Sequence, residues 1–517
     1  MNMLDRWAPG LAALFLVGLS MWFQGNIGLN LGDEGFLWYG VERTAAGGVP
    51  IMDFKSYDPG RYYWSSAWAF LIGDGIISLR IGVAAFQFFG LFLGLLAARR
   101  VVRSPWVLIA VGLLLVIWMF PRHKLFDVSI AMAAVYVAVV LLERPSHSRH
   151  FAAGVFVGLA AFFGRNHGVY NFLAFLSLIL FIWFKLDRSD LLRRVGAWFA
   201  GIMVGYAPML LMLVLIPGFF SSYVESVSVL VRQGATNLPL PVPWPWLFEY
   251  GRLGMFDSFF VLVRGGLFLL LPLFFIVGVG RVLLFRSDEI QDRRLLLAST
   301  CIGVFYMHYA FSRADVGHLA HSMPPLLLGL VAVPSLISLQ QRRLVITWLV
   351  VLLLGLSVLV AIRSSPYIQK YLATSSVQEF ISLEINGDHL WVHKSQADFI
   401  RTVMEIQTNL VGKAGRLFIA PFDPGLYPIL RQESPVWDTY LLWPETEAME
   451  RRMIRDLGDV RWAIISDLAL DGRDDLRFRN THKLIWRYLV SEFEPVGIRG
   501  LPPSYWLLRR KGGQSLS

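Results

Sequence analysis

Leu31-Gly32-Asp33-Glu34-Gly35-Phe36-Leu37-Trp38-Tyr39 stands just past the first apolar segment of the chain. Two adjacent carboxylates at the mouth of a membrane anchor are costly to place, so they point to function. A second acidic group follows in Val49-Pro50-Ile51-Met52-Asp53-Phe54 and Tyr57-Asp58-Pro59-Gly60-Arg61-Tyr62-Tyr63. Together these stretches predict a catalytic loop on the outer face of a many-spanning membrane protein.

The surrounding composition fits a membrane setting. Of 517 residues, 56% are hydrophobic and only 16% charged, where soluble domains carry roughly a quarter charged residues. The net charge of +10 raises the question of nucleic acid, but much of the basic charge lies in short loops between apolar runs. There it sets membrane orientation, and no nucleic-acid partner is expected. The single cysteine, Cys301, lies in an apolar stretch, which leaves no intrachain disulfide and no cysteine cluster for zinc. Arg6 precedes an apolar run from Leu11 to Phe23, and no small-x-small cleavage site follows before Gly32. The first span is therefore expected to stay uncleaved.

Hydropathy predicts an α-helical polytopic protein with about eleven transmembrane helices, at 8–24, 78–98, 105–120, 126–142, 151–165, 168–184, 196–216, 259–280, 295–311, 323–339 and 344–362. One set of loops is short and dense in Arg and Lys, from Arg99, Arg100 and Arg103 to Arg342 and Arg343. The positive-inside rule places it and the N-terminus in the cytoplasm. The first loop, 25–77, then lies outside, and its interspersed Trp and Tyr residues predict one or two amphipathic helices on the membrane surface. The spans 151–165 and 168–184 look short, which predicts a recessed turn at Gly164-Arg165-Asn166-His167-Gly168. From 363 the character changes. Short apolar runs at 415–420, 460–466 and 505–508 read as strands, and 445–457 reads as an amphipathic helix. The expected division is a transmembrane domain over 1–362 and a small outer α/β domain over 363–517.

Ionisable groups collect on the expected outer face. The first loop gives Asp33, Glu34, Asp53, Lys55, Asp58 and Arg61; the second gives Arg122, His123, Lys124 and Asp127; the third gives Arg165 and His167; a later one gives Arg313, Asp315, His318 and His321. A carboxylate can take a proton from a hydroxyl, and cations can stabilise a departing phosphate, Arg by two-point contact. Each group also has a plainer fit. Asp33-Glu34 suits a helix cap followed by a first-turn acid. Asp53 and Asp58-Pro59-Gly60 suit turns. Asp127 has Arg122 and Lys124 close in sequence for a salt bridge. His318-x-x-His321 has metal-ligand spacing, yet no third ligand is evident, so no metal site is expected.

The order of these motifs resembles the GT-C superfamily of multi-spanning glycosyltransferases, in particular bacterial relatives of protein O-mannosyltransferases and lipid A aminoarabinose transferases. The likeness rests on Asp33-Glu34-Gly35, on Gly47-Gly48-Val49-Pro50-Ile51-Met52-Asp53-Phe54, and on Pro59-Gly60-Arg61-Tyr62-Tyr63. Gly73 to Arg80, Arg122 with Asp127, Arg165, and His318 and His321 before Pro324-Pro325 extend it. Asp58-Pro59-Gly60 departs from the His-Pro-Pro of many members. The resemblance implies that Asp33 activates an acceptor hydroxyl, with Glu34 or Asp53 assisting. It further implies inversion at the anomeric carbon and a polyprenyl phosphate as leaving group. Asp58, Arg61, Arg122, Lys124, Asp127, Arg165, His167, Arg313, His318 and His321 become the expected substrate-binding residues. The partners expected are a polyprenyl-phosphate-linked sugar, a lipid, glycan or protein acceptor, and the bilayer of a bacterial inner membrane. No cofactor is expected, although the carboxylates leave a divalent ion open. The alternative is a polytopic transporter or lipid flippase of envelope precursors, which would place polar groups at mid-membrane in broken, repeat-related helices. No repeat is seen.

Overall fold

The computed structural model describes residues 3–233, 237–286, 289–365, 370, 379–412 and 415–512. Among the described residues these α-helices precede the first strand: α1 (Met3–Gln24), α2 (Asp33–Ala45), α3 (Pro59–Ile72), α4 (Ile76–Ala98), α5 (Pro105–Ile117), α6 (Leu125–Glu143), α7 (His147–Phe163), α8 (Arg165–Lys185), α9 (Leu191–Gly205), α10 (Ala207–Leu215), α11 (Phe219–Gln233), α12 (Met255–Leu284), α13 (Ile290–Ser312), α14 (Val316–Ala332) and α15 (Gln340–Ser364). The chain forms two compact units. One comprises Met1–Gly25 and Ile81–Gln369, the other Asn26–Arg80 and Lys370–Ser517. The expected boundary at 362 and 363 therefore needs correction in one respect. The loop 25–77, assigned to the transmembrane domain, belongs with the C-terminal α/β part.

The first unit is a helical membrane body. All eleven expected spans fall on helices, and among the described residues eight helices are long and apolar enough to cross a membrane. The bent pair α9 and α10, 55° apart, supplies a ninth if it crosses as one. The others are short: α5 has 13 residues and α7 has 17. At 1.5 Å per residue these reach about 20 and 26 Å, less than the roughly 30 Å of a hydrocarbon core. The expected pair of equally short spans is resolved differently. Only Gly164 breaks the chain, with φ −174 and ψ 118, and Arg165 opens a full-length α8.

α7 and α9 meet backbone to backbone. Gly154-x-x-x-Gly158 on the first faces Gly201-x-x-x-Gly205 on the second, and a Cβ on any of the four would run into the partner's main chain. In a lipid environment such close approach replaces the hydrophobic effect as the source of helix association.

The second unit joins the first loop to an α/β core. α2 was expected on the membrane surface, but Glu34 to Val41 are all buried. Gly40 leaves the space that the fully buried Tyr62 ring of α3 fills. The end of α3 is open, with Phe70, Leu71 and Ile72 exposed. β1 (Phe380–Ile385) and β2 (Asp388–His393) form an antiparallel hairpin. Asn386 and Gly387 turn it at positive φ, as a two-residue turn requires. The other sheet has the order β3, β4, β6, β5, from β3 (Leu417–Ala420), β4 (Trp462–Ser466), β5 (Phe493–Val496) and β6 (Tyr505–Arg510). β3 and β4 are parallel; β6 runs antiparallel to β4 and β5. Phe418, Ile465, Leu508, Met453 and Leu489 lie in the core beneath. The helix expected at 445–457 is Glu447–Asp456, capped by Thr446, whose hydroxyl accepts from the Met449 N–H.

Candidate active site

The quoted stretch is held from two directions. Gly32 is the N-cap of α2, and Asp33 and Glu34 occupy the first turn. Asn30 Oδ1 accepts from the Asp33 N–H at 2.9 Å. Gly35 packs against Gly425, whose N–H donates to the Leu31 carbonyl at 2.8 Å. A side chain at either glycine would part the two segments.

The two acids then diverge. Glu34 is grasped by Arg80 at two points, Nε to Oε1 at 2.9 Å and Nη2 to Oε2 at 2.8 Å, and Nη2 also donates to the Gly28 carbonyl. Both side chains are almost fully buried, at 1% and 5% exposure. Such a pair costs much to break, because the survivor is a buried charge. Asp33 Oδ1 instead accepts from the hydroxyl of Tyr440 at 3.3 Å. Burial, with the Asp33 charge next in weight, pushes the Tyr440 phenol well above its ordinary range, so it keeps its proton.

The remaining first-loop candidates separate by setting. Asp53 is exposed and closes a local turn, accepting from the Val49 N–H at 2.7 Å. Asp58 is buried at the N-cap of α3, ahead of Pro59. Arg61, also buried, places its guanidinium 5.2 Å from the Tyr57 ring centre, and Tyr57 meets Phe36 edge to face. Lys55 lies among carboxylates, 2.5 Å from Asp438 and 3.6 Å from Glu445. Burial pulls its ammonium down, but the two acids outweigh burial and leave it above its ordinary value.

Within the helical unit, Asp127 reaches beyond its neighbours in sequence. Its Oδ1 lies 2.5 Å from His167 Nε2 on α8 and 3.3 Å from the Tyr309 hydroxyl on α13. The other nitrogen of His167 meets the Tyr306 hydroxyl at 3.0 Å, and Asn171 donates to that same hydroxyl at 3.1 Å. His321, fully buried, stands edge to face with Tyr309, and neither ring nitrogen has a hydrogen-bond partner among the described residues. Asp127, His167 and His321 thus share one polar cluster.

The other cations lie in different settings. Arg122, in a short 3-10 turn with Lys124, donates to the Gln24 carbonyl at 2.6 Å. Arg165 donates to Ser226 Oγ at 3.1 Å and lies over the Tyr223 ring. Arg313 and His318 both reach Asp315, which caps α14. No group of three or more His, Cys, Asp or Glu side chains that could hold a metal occurs among the described residues. Sequence reasoning missed Tyr440, Tyr306 and Tyr309. Nothing local marks a tyrosine that serves a carboxylate on a distant segment.

No protein-family model and no curated protein sequence matches the chain. The structure is similar to that of ArnT from Cupriavidus metallidurans bound to undecaprenyl phosphate, with 14% identity, 98% of each chain covered and a TM-score of 0.53. A second similar structure is the archaeal oligosaccharyltransferase AglB from Archaeoglobus fulgidus in complex with an inhibitory peptide and a dolichol-phosphate. It has 11% identity, all of this chain and 76% of AglB covered, and a TM-score of 0.49. The likeness to ArnT shows the fold: a polytopic helical membrane protein with a small α/β region toward the C-terminus.

Proposed function

We propose that the chain is an inverting glycosyltransferase, moving a sugar from a polyprenyl-phosphate-linked donor to a hydroxyl of a lipid, glycan or protein. The reaction is assigned to the outer face of a bacterial inner membrane. The observation that carries the reading is the state of Asp33. It sits in the first turn of α2, fixed through Asn30 and Tyr440, while its neighbour Glu34 is consumed by Arg80. A carboxylate held in one place and bonded to a neutral phenol suits a general base.

In this mechanism Asp33 takes the proton of the acceptor hydroxyl. The hydroxyl oxygen attacks the anomeric carbon from the face opposite the phosphate. The bond from that carbon to the phosphate oxygen breaks, and the polyprenyl phosphate leaves with the electron pair, inverting the centre. Arg122, Lys124, Arg165, Arg313 and His318 are assigned to the phosphate, whose growing charge they would stabilise. Asp58, Arg61, Asp127, His167 and His321 are assigned to sugar or acceptor contacts. Glu34 is assigned to holding α2 in place, and Asp53 remains a secondary candidate. The fold shared with ArnT, solved with undecaprenyl phosphate bound, supports the donor class.

The test is transfer from a panel of tritiated undecaprenyl-phosphate hexoses and pentoses to acceptors in native envelope extract. Inverted product is expected from the wild type and none from Asp33→Asn. Movement of label across proteoliposomes with no covalent product, or full activity in Asp33→Asn, contradicts the assignment.

A further inference from the structure

The proposed base is touched by a residue that lies more than four hundred positions away in sequence. Tyr440 follows Asp438, whose Oδ1 accepts from the Tyr440 N–H at 3.0 Å while its Oδ2 takes Lys55. On the other side of Tyr440, the Leu441 N–H donates to the Pro421 carbonyl at 3.0 Å. The backbone is therefore pinned before and after the ring. The ring lies 5.7 Å from that of Phe36, and its hydroxyl donates to Asp33. Gly32 makes the approach feasible, since a Cβ there would come within 2.8 Å of the Tyr440 hydroxyl and 3.2 Å of the Phe422 carbonyl. Asp423, in the same Pro421 loop, accepts from Tyr505 on β6 at 2.8 Å and ties that loop to the sheet.

We infer that Tyr440 is a positioning residue for Asp33, through which the C-terminal α/β part takes a direct share in the base's geometry. The hydroxyl donates to one oxygen of the carboxylate at 3.3 Å and so sets its direction. Tyr440 then fixes the orientation in which Asp33 meets the acceptor hydroxyl. Gly32, immediately before the acidic pair, exists on this account to admit the phenol, which gives the first letter of Gly32-Asp33-Glu34 a physical reason. The inference rests on the reading of Asp33 as the base and assigns that base a partner.

The experiment uses the full chain in lipid-supplemented detergent, with the tritiated undecaprenyl-phosphate sugars as donors. Tyr440→Phe keeps the ring and removes the hydroxyl. Its kcat is expected to fall about tenfold, the worth of a hydrogen bond to a charged group, with KM for the donor unchanged. Gly32→Ala keeps the tyrosine and displaces its hydroxyl, and the same fall in kcat at unchanged KM is expected. The thermal midpoint of Tyr440→Phe is expected to stay at the wild-type value, which a merely structural role would lower. Unchanged kcat in the two variants, with Asp33→Asn inactive, overturns the inference alone. Full transfer by Asp33→Asn overturns the reading of the base, and the positioning role falls with it.

Discussion

Glu34 and Asp127 are both buried carboxylates, one in each unit, and their partners set them apart. Glu34 meets Arg80, a cation at any working pH, in a two-point pair. Asp127 meets His167 and Tyr309, a ring and a phenol that can each exchange a proton. The first arrangement is a brace. It fixes the N-terminus of α2 to the start of α4 and has no proton to give. The second is a short relay running on to Tyr306 and Asn171. A carboxylate's neighbours, more than its burial, decide whether it holds structure or does chemistry. The proposed mechanism puts Asp33 on the chemical side of that line although it adjoins the brace.

Breaking the brace should have the largest effect on stability. Arg80→Met leaves Glu34 buried without its cation, at a cost of about 3–5 kcal/mol. A steep drop in the thermal midpoint in detergent is expected, with partial recovery in Arg80→Met combined with Glu34→Gln. A small drop would mean that the pair is not what fixes α2.

Asp423 extends the comparison to a third partner, the Tyr505 phenol. Burial raises its carboxyl to about 6, against the opposing pull of the Tyr505 hydroxyl. The folded value lies above the unfolded one, so the native state binds the proton more tightly. That contribution to stability is complete below about pH 4 and is lost as pH rises through 6. Asp423→Asn, which preserves an acceptor for Tyr505, should therefore stabilise the protein at pH 8 by up to roughly 3 kcal/mol and leave it unchanged near pH 4. Thermal melts at the two pH values check this, and equal effects at both would contradict it.

The relay should be less costly to disturb than the brace. Asp127→Asn retains size and one acceptor oxygen, so about 1–3 kcal/mol is expected. A cost above that of Arg80→Met would invert the comparison.

Much of this was legible in the sequence. All eleven apolar runs became helices because a spanning segment advertises itself by hydropathy alone. The strands at β3, β4 and β6 and the helix before β4 followed from short apolar runs and helical spacing. The β1–β2 hairpin was missed, although Asn386-Gly387 is a strong turn signal. The backbone contact of α7 and α9 was likewise written in two Gly-x-x-x-Gly spacings. Other features carry no local mark. Arg80, at the outer start of the second span, shows no local sign of Glu34 until folding sets the two together. Tyr440 has nothing around it to announce Asp33, because the contact exists only after a separate segment closes on α2. Asp127 carries no local mark of His167 or Tyr309 either, because both lie on other helices.

The central claim is that Asp33 and Glu34, side by side, divide chemistry from structure. The direct measurement is turnover and thermal midpoint, taken together, for Asp33→Asn and Glu34→Gln in the full chain. Asp33→Asn should lose transfer by at least about a hundredfold, as removal of a general base does, with its midpoint close to that of the wild type. Glu34→Gln should lose thermal stability while the protein that remains folded still turns over. Transfer preserved in Asp33→Asn, or abolished in a fully stable Glu34→Gln, would contradict the account.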